Sequence, residues 1–153
     1  MELKKCLLYR IPSKILHKTY FWLKKLANTV YYQLKFKGDF ILIDCWAEQW
    51  FGKIMPRNFG DELNFYLLEI LSGKNIVNAT NTLFRGTKYL FIGSIIEKRS
   101  TPDSIIWGSG AIEGHPRELD AKPRSVLAIR GKLTKKYLED YGVACPDIYG
   151  DPA

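Results

Sequence analysis

Tyr89-Leu90-Phe91-Ile92-Gly93-Ser94 and Ser104-Ile105-Ile106-Trp107-Gly108-Ser109-Gly110 decide the fold class. Each is a run of strand-forming residues too short for a helix, with glycine directly after the last apolar side chain. The apolar residues follow one another without alternation, which marks strands buried on both faces, as in a parallel sheet. Reading outward, the same form recurs in Phe40-Ile41-Leu42-Ile43-Asp44-Cys45-Trp46, in a brief Ile76-Val77, in Val126-Leu127-Ala128-Ile129 and in a last short Asp147-Ile148-Tyr149. Two helices interleave with these strands. Leu63, Leu67, Ile70 and Leu71 share one face of residues 61–71, which Gly73 stops, and Leu133, Tyr137, Leu138 and Tyr141 are in phase up to Gly142. The pattern predicts an α/β fold, a doubly wound, mostly parallel Rossmann-like sheet with helices covering both faces. At 153 residues the chain is long enough for one domain with a real core.

The residues at the strand exits point to function. Asn58-Phe59-Gly60-Asp61 lies in the loop after the first strand, and Gly93-Ser94, Gly108-Ser109-Gly110, Arg130-Gly131 and Gly150-Asp151 come directly after later ones. Open α/β sheets bind ligands outside the carboxyl ends of their strands, where glycines let a ligand approach the backbone and helix N-termini offer free N–H groups. A single glycine there does no more than end a strand; five such exits on one edge favour a binding cleft. Residues 108–114 are not a dinucleotide fingerprint: their glycine spacing is one residue too long, and Pro116 stands where the helix should begin. Walker, nucleophile-elbow and kinase motifs are absent from the sequence.

The net charge of +7 is local. Residues 1–38 hold nine Lys/Arg against Glu2, giving +8, while the remaining 115 residues carry −1. Within that arm, after Pro12 and a candidate N-cap at Ser13, Leu16, Tyr20, Leu23, Ala27, Val30 and Leu34 recur at helical spacing up to Gly38. Lys14, Lys18, Lys24, Lys25, Lys35 and Lys37 flank the stripe, and Trp22, Tyr31, Tyr32 and Phe36 widen its apolar side. The organisation is therefore a basic amphipathic helical arm, residues 1–38, and an α/β domain, residues 39–153. Such a helix suits an anionic membrane surface through residues 14–37, each cation contributing ~1 kcal/mol. It equally suits a helix that packs its stripe on the domain and leaves its lysines in water. Nucleic acid is a third reading, and no nucleic-acid motif accompanies the charge, so none is expected as a partner.

Cys6, Cys45 and Cys145 are too few and too far apart for a disulfide scaffold, and with His17 and His115 they assemble no zinc spacing. The expectation is a reduced, cytoplasmic chain without a metal or cofactor, peripheral at the inner membrane face if the arm meets lipid. No apolar run reaches the ~18 residues of a membrane span. Asn78-Ala79-Thr80 matches a glycosylation sequon, which a cytoplasmic chain does not use.

Asn58-Phe59-Gly60-Asp61 with Asn64, Ile92-Gly93-Ser94, Trp107-Gly108-Ser109-Gly110, Arg130-Gly131-Lys132-Leu133-Thr134 and Tyr149-Gly150-Asp151-Pro152-Ala153 come in the order seen in the polysaccharide pyruvyl transferase family. The resemblance covers about residues 40 to 153. Lys132 departs from it, since the family commonly has proline after the Arg-Gly pair. The resemblance implies a two-domain enzyme similar to GT-B glycosyltransferases, with two Rossmann-like halves facing a cleft. It implies transfer of pyruvate from phosphoenolpyruvate, a co-substrate, to a sugar of a cell-surface polysaccharide, often on a lipid-linked oligosaccharide acceptor. In the family Gly-Asp-Pro-Ala closes the first half and a second half comes after it with the donor arginines and histidine. The expectation is thus an N-terminal half whose second half is missing, and activity of this chain alone is doubtful.

Ketal formation needs a cation for the donor carboxylate and phosphate, a base for the acceptor hydroxyl and an acid for the enol carbon. On that chemistry Arg130, with Gly131, Thr134, Gly93, Ser94, Gly108, Ser109 and Gly110, is the candidate donor or phosphate site, and an internal salt bridge from Arg130 to Asp151 is the competing role. Asp61 is the candidate base, or an acid favouring its own helix start. Asn58, Gly60, Asn64 and Asp151 are candidate acceptor contacts, Asn58 also being a good turn residue. Trp46, Trp50 and Trp107 suit a sugar ring or simple packing, and His115 is a titratable loop residue near the cleft. Two other functions fit the same residues: a GT-B-type glycosyltransferase using a nucleotide-sugar, and a non-catalytic remnant or binding module.

Overall fold

A computed structural model describes residues 13–55, 58–112 and 118–153. Its elements run α1 Ser13–Phe36, β1 Phe40–Ile43, β2 Glu48–Trp50, β3 Lys53–Met55, α2 Phe59–Ser72, β4 Asn75–Asn78, β5 Lys88–Leu90, α3 Ile96–Arg99, β6 Ser104–Trp107, β7 Ser125–Ala128 and α4 Lys132–Asp140. Five strands form one all-parallel sheet in the order β4-β1-β5-β6-β7, a Rossmann-like α/β fold. The order reverses between β1 and β5, which makes that pair the topological switch point.

Local chemistry sets the boundaries. Asn58 starts α2: its Oδ1 accepts from the N–H of Gly60 at 2.8 Å and of Asp61 at 3.3 Å. Gly73 ends it with φ at 65°, donating its N–H to the Glu69 carbonyl. The first strand stops at Ile43 rather than at Trp46, and the expected last strand reduces to one parallel bridge between Ile129 and Tyr149. The β2–β3 hairpin and the short α3 are additions to the expected elements. The hairpin turns at Phe51-Gly52, both with positive φ (50° and 80°), the conformation that a two-residue hairpin loop needs.

The two sheet faces are covered unequally. On one, Phe65 and Leu68 of α2 pack on Ile43, Ile76 and Phe91. On the other, Tyr32 of α1 packs on Leu42 and Val77, while Ile96 and Leu138 of α3 and α4 pack on Leu90 and Ile106. Among the described residues only the β1-to-β4 crossover passes on the α2 side, and α2 is the one helix there. Full coverage of both faces is therefore corrected: β6 and β7 are bare on the α2 side, where Leu127 is 48% exposed beside a shallow groove with Trp107 and Tyr89.

α1 presents the opposite face to the one its periodicity offers for packing. Asn28 and Tyr32 are fully buried, whereas Leu16, Tyr20, Leu23, Val30 and Leu34 are 50–73% exposed. Hydrogen bonding explains the choice. Asn28 Nδ2 donates to the carbonyls of Gln49 (3.0 Å) and Asn81 (2.9 Å), and its Oδ1 accepts from Phe51 N–H (2.7 Å). Tyr32 accepts from Gly52 N–H at 3.0 Å and stacks on Phe36. These bonds tie α1 to the hairpin, so packing of the apolar stripe on the domain is overturned. Asn78 is likewise buried, its amide donating to the Cys45 and Ala47 carbonyls, which closes the sequon to a glycan.

Candidate functional site

The carboxyl edge of the sheet carries two adjoining constellations, one on each side of the β5 exit. On the first, Arg130 leaves the end of the β7 segment and lies flat on Gly110. A Cβ on Gly110 would stand 2.5–2.8 Å from the Arg130 Nε, Cζ and Nη2 atoms, so the glycine is the seat of the guanidinium. Arg130 Nη1 donates to Ser94 Oγ at 2.6 Å and Nη2 to the Ala111 carbonyl at 2.7 Å. Both acceptors are neutral, and among the described residues no carboxylate pairs with this guanidinium. The competing ion pair with Asp151 does not form: Asp151 Oδ1 accepts from Ala153 N–H at 3.1 Å.

Gly131 comes next as the N-cap residue of α4, in extended conformation with no side chain to cap the first turn. The first-turn N–H groups therefore open toward a pocket of about 360 Å³, lined by Ala111, Ile112, Arg130, Gly131, Lys132, Leu133, Thr134 and Tyr137. Among the described residues that lining holds two cations and no acid. Thr134 is buried and its Oγ1 accepts from Ala111 N–H at 3.4 Å, which holds the pocket wall. Behind it the buried Glu97 accepts from Ile112 N–H at 2.7 Å and, after burial itself, is the main influence pushing the Tyr137 phenol upward.

The second constellation lies at the switch point. Asp61 is buried and its Oδ1 accepts from Trp46 N–H at 3.4 Å, rather than capping α2. Burial raises its carboxyl above the ordinary range, opposed by the Trp46 hydrogen bond and by Arg99. Asn64 is fully buried, with Nδ2 on the Gly60 and Asp61 carbonyls and Oδ1 accepting from Ile92 N–H at 2.9 Å. It clamps α2 to the β5 exit and joins the two constellations, two residues before Ser94. Asn58 and Gly60 likewise serve the helix cap, and Asp151 serves the Ala153 backbone. All four acceptor candidates take part in bonds within the fold; Asn64 is buried in them, while Asn58 and Asp151 remain exposed.

Gly93 takes φ 108° and its carbonyl accepts from Gly110 N–H at 2.9 Å, holding the two glycine exits together. Gly108 (φ 98°) lies under Pro152, whose ring would be 2.6 Å from a Cβ there. Ser109 is completely buried and its hydroxyl has no partner among the described residues. Trp50 packs in the core, Trp107 lies on the α2 side, and Trp46 is 46% exposed at the switch point. His115 lies outside the described residues.

Three charged residues here had no separate role in the motifs. Asp44, at the end of β1, is paired with Lys88 at 2.5 Å and Arg99 at 3.4 Å, and accepts from Thr80 Oγ1 at 2.9 Å. Arg99 also stacks on Trp46, 3.8 Å from the ring centre. Their sequence separation hides the cluster; the acid directly after an apolar strand is its single sequence signal.

No family model matches the chain, and neither does any curated protein or solved structure. Function therefore rests on the chemistry of the site itself.

Proposed function

We propose that the chain binds a phosphorylated carboxylate donor at the Arg130 cradle and belongs to a transferase of the polysaccharide pyruvyl transferase type. The observation that supports this is the Arg130 guanidinium, fixed by Ser94 and Ala111 with no acid among the described residues, and lining one pocket with Lys132 and the uncapped start of α4. A fixed fork of donors beside a helix N-terminus is an arrangement suited to phosphate or carboxylate. In this reading the glycan acceptor approaches over the switch point. Asp61, made more basic by burial, takes a proton from a sugar hydroxyl as its oxygen bonds to C2 of phosphoenolpyruvate. In the same step the C3 methylene takes a proton from a solvent hydronium and becomes methyl, and Asp61 later returns its own proton to solvent. A second sugar hydroxyl closes the ketal at C2 as phosphate leaves with the electron pair of its C–O bond, and that hydroxyl's proton passes to solvent. In this reading the two constellations supply an anion clamp for the donor and a base for the acceptor, within one half of a GT-B-like pair.

The test is titration of the 153-residue chain with phosphoenolpyruvate, monitored by calorimetry and by amide shifts at Gly131–Thr134. Saturable binding that Arg130→Ala weakens at least about tenfold supports the reading. Equal binding by Arg130→Ala, or none by the wild type, sinks it. Preference for a nucleoside diphosphate sugar over phosphoenolpyruvate would transfer the cradle to a nucleotide-sugar glycosyltransferase.

A further inference from the structure

The largest feature left outside this site is the outward face of α1. The helix is 24 residues long, about 36 Å at 1.5 Å per residue. On its wheel, the arc running from Trp22 through Leu26, Val30, Leu23 and Leu34 to Tyr20 spans about 160° at 100° per residue and carries no charge. Every one of these side chains is at least 38% exposed, and Leu34 reaches 73%. An uncharged stripe of this length on the outside of a domain is an interaction surface.

The charges on its margins say what it meets. Residues 13–38 contain no acid. On one margin Lys24 stands over the Trp50 ring at 3.9 Å and Lys35 beside Tyr31 Oη at 3.2 Å; on the other lie Lys18 and Lys25, the latter lowered by burial and then by Arg85. Asp44, the acid that acts on Lys25, is already paired with Lys88 and Arg99, and Glu48 accepts from the Trp50 indole N–H at 2.9 Å. Lysines bordering an apolar stripe on both sides, with a tryptophan and a tyrosine at the stripe's edges, match the layering of a bilayer surface: acyl chains under the stripe, anionic headgroups at the margins. No helix among the described residues is long and apolar enough to cross a membrane, so the geometry calls for lying in the interface.

We propose that the outward face of α1 docks the protein on anionic phospholipid bilayers, with α1 parallel to the surface and the sheet edge free. Docking is independent of the Arg130 reading, which is tested with a soluble ligand. The experiment is flotation of the 153-residue chain with vesicles of equal parts phosphatidylglycerol and phosphatidylcholine, and with phosphatidylcholine alone. Expected are flotation with the anionic vesicles only, weakening as salt is raised, and a blue shift of Trp22 emission that Trp22→Phe removes. Leu23→Glu with Leu34→Glu alters exposed residues only, so its melting curve stays wild-type while its partitioning falls at least about tenfold. Absence of flotation with anionic vesicles overturns the proposal, as does undiminished flotation of the double variant. So does a wild-type dimer in sedimentation that the double variant abolishes without any lipid binding, which would make the face a contact between two copies.

Discussion

Arg99 and Arg130 reach the same edge of the sheet from opposite sides of the β5 exit, and their surroundings differ in one respect. Arg99 meets a buried carboxylate, Asp44, and an aromatic ring, Trp46; Arg130 meets a hydroxyl and a carbonyl. The first is a closed electrostatic unit in which Asp44 also holds Lys88. The second is geometrically fixed but has no carboxylate among the described residues, so an anion arriving there displaces none of them. Neutralised charge next to a cleft reads as architecture, and fixed charge without a counter-ion reads as a site.

The largest expected effect comes from breaking the closed unit. Arg99→Ala leaves Asp44 with Lys88 alone and removes the Trp46 stack, costing about 2 kcal/mol in denaturant melts while anion binding persists. Arg130→Ala inverts that profile: about 1 kcal/mol of stability, from two hydrogen bonds lost, and anion binding abolished. Equal stability losses in the two variants would remove the distinction. A finer test leaves the arginine in place. Gly110→Ala pushes the flexible guanidinium aside and weakens anion binding with a stability change under about 1 kcal/mol, because the atoms displaced end a side chain.

The two aspartates sharpen the comparison further. Asp44 has cations beside it; Asp61 has a backbone N–H, and burial raises its folded carboxyl above the unfolded one. A raised acid costs stability as pH climbs through the unfolded and then the folded value. Asp61→Asn is therefore more stable than wild type at neutral pH, with the difference vanishing as pH falls below the carboxylate range, and it loses any acceptor-activating step. A wild-type stability that is flat across that range would contradict the burial of a charged Asp61. The smallest effect in ordinary buffers concerns Cys45 and Tyr32, which burial pushes up from 9.0 and 10.0 to about 12. Their contribution is complete below pH 9 and is lost as the pH rises toward 12, and Cys45→Ala delays the onset in alkaline melts.

The sheet was legible because Phe40–Ile43, Ser104–Trp107 and their neighbours are buried by continuity of apolar residues, a signal local to each strand. The glycine exits were legible for the same reason, although their purposes were not: Gly110 seats an arginine twenty residues later, and Gly108 receives Pro152. The hairpin escaped because its turn puts Phe51 at positive φ, where asparagine or glycine is the usual sign. The orientation of α1 escaped because apolar periodicity marks a face without saying what it faces. One buried asparagine with three long-range bonds decided it, and Asn28 has no local signature in its helix.

That asparagine also sets an order of events. Its partners lie at Gln49, Phe51 and Asn81, 21 to 53 residues away, so Asn28 has nothing to bond until the hairpin and the turn after β4 exist. Docking of the first helix in the chain is then a late step of folding, after the loops between those segments have closed. In the native state the same geometry divides the helix. Its amides from Asn28 onward should exchange with solvent deuterium only through global opening, together with the sheet. Residues 15–23, largely exposed and held to the domain by Phe21 against Trp50, should fray and exchange on their own.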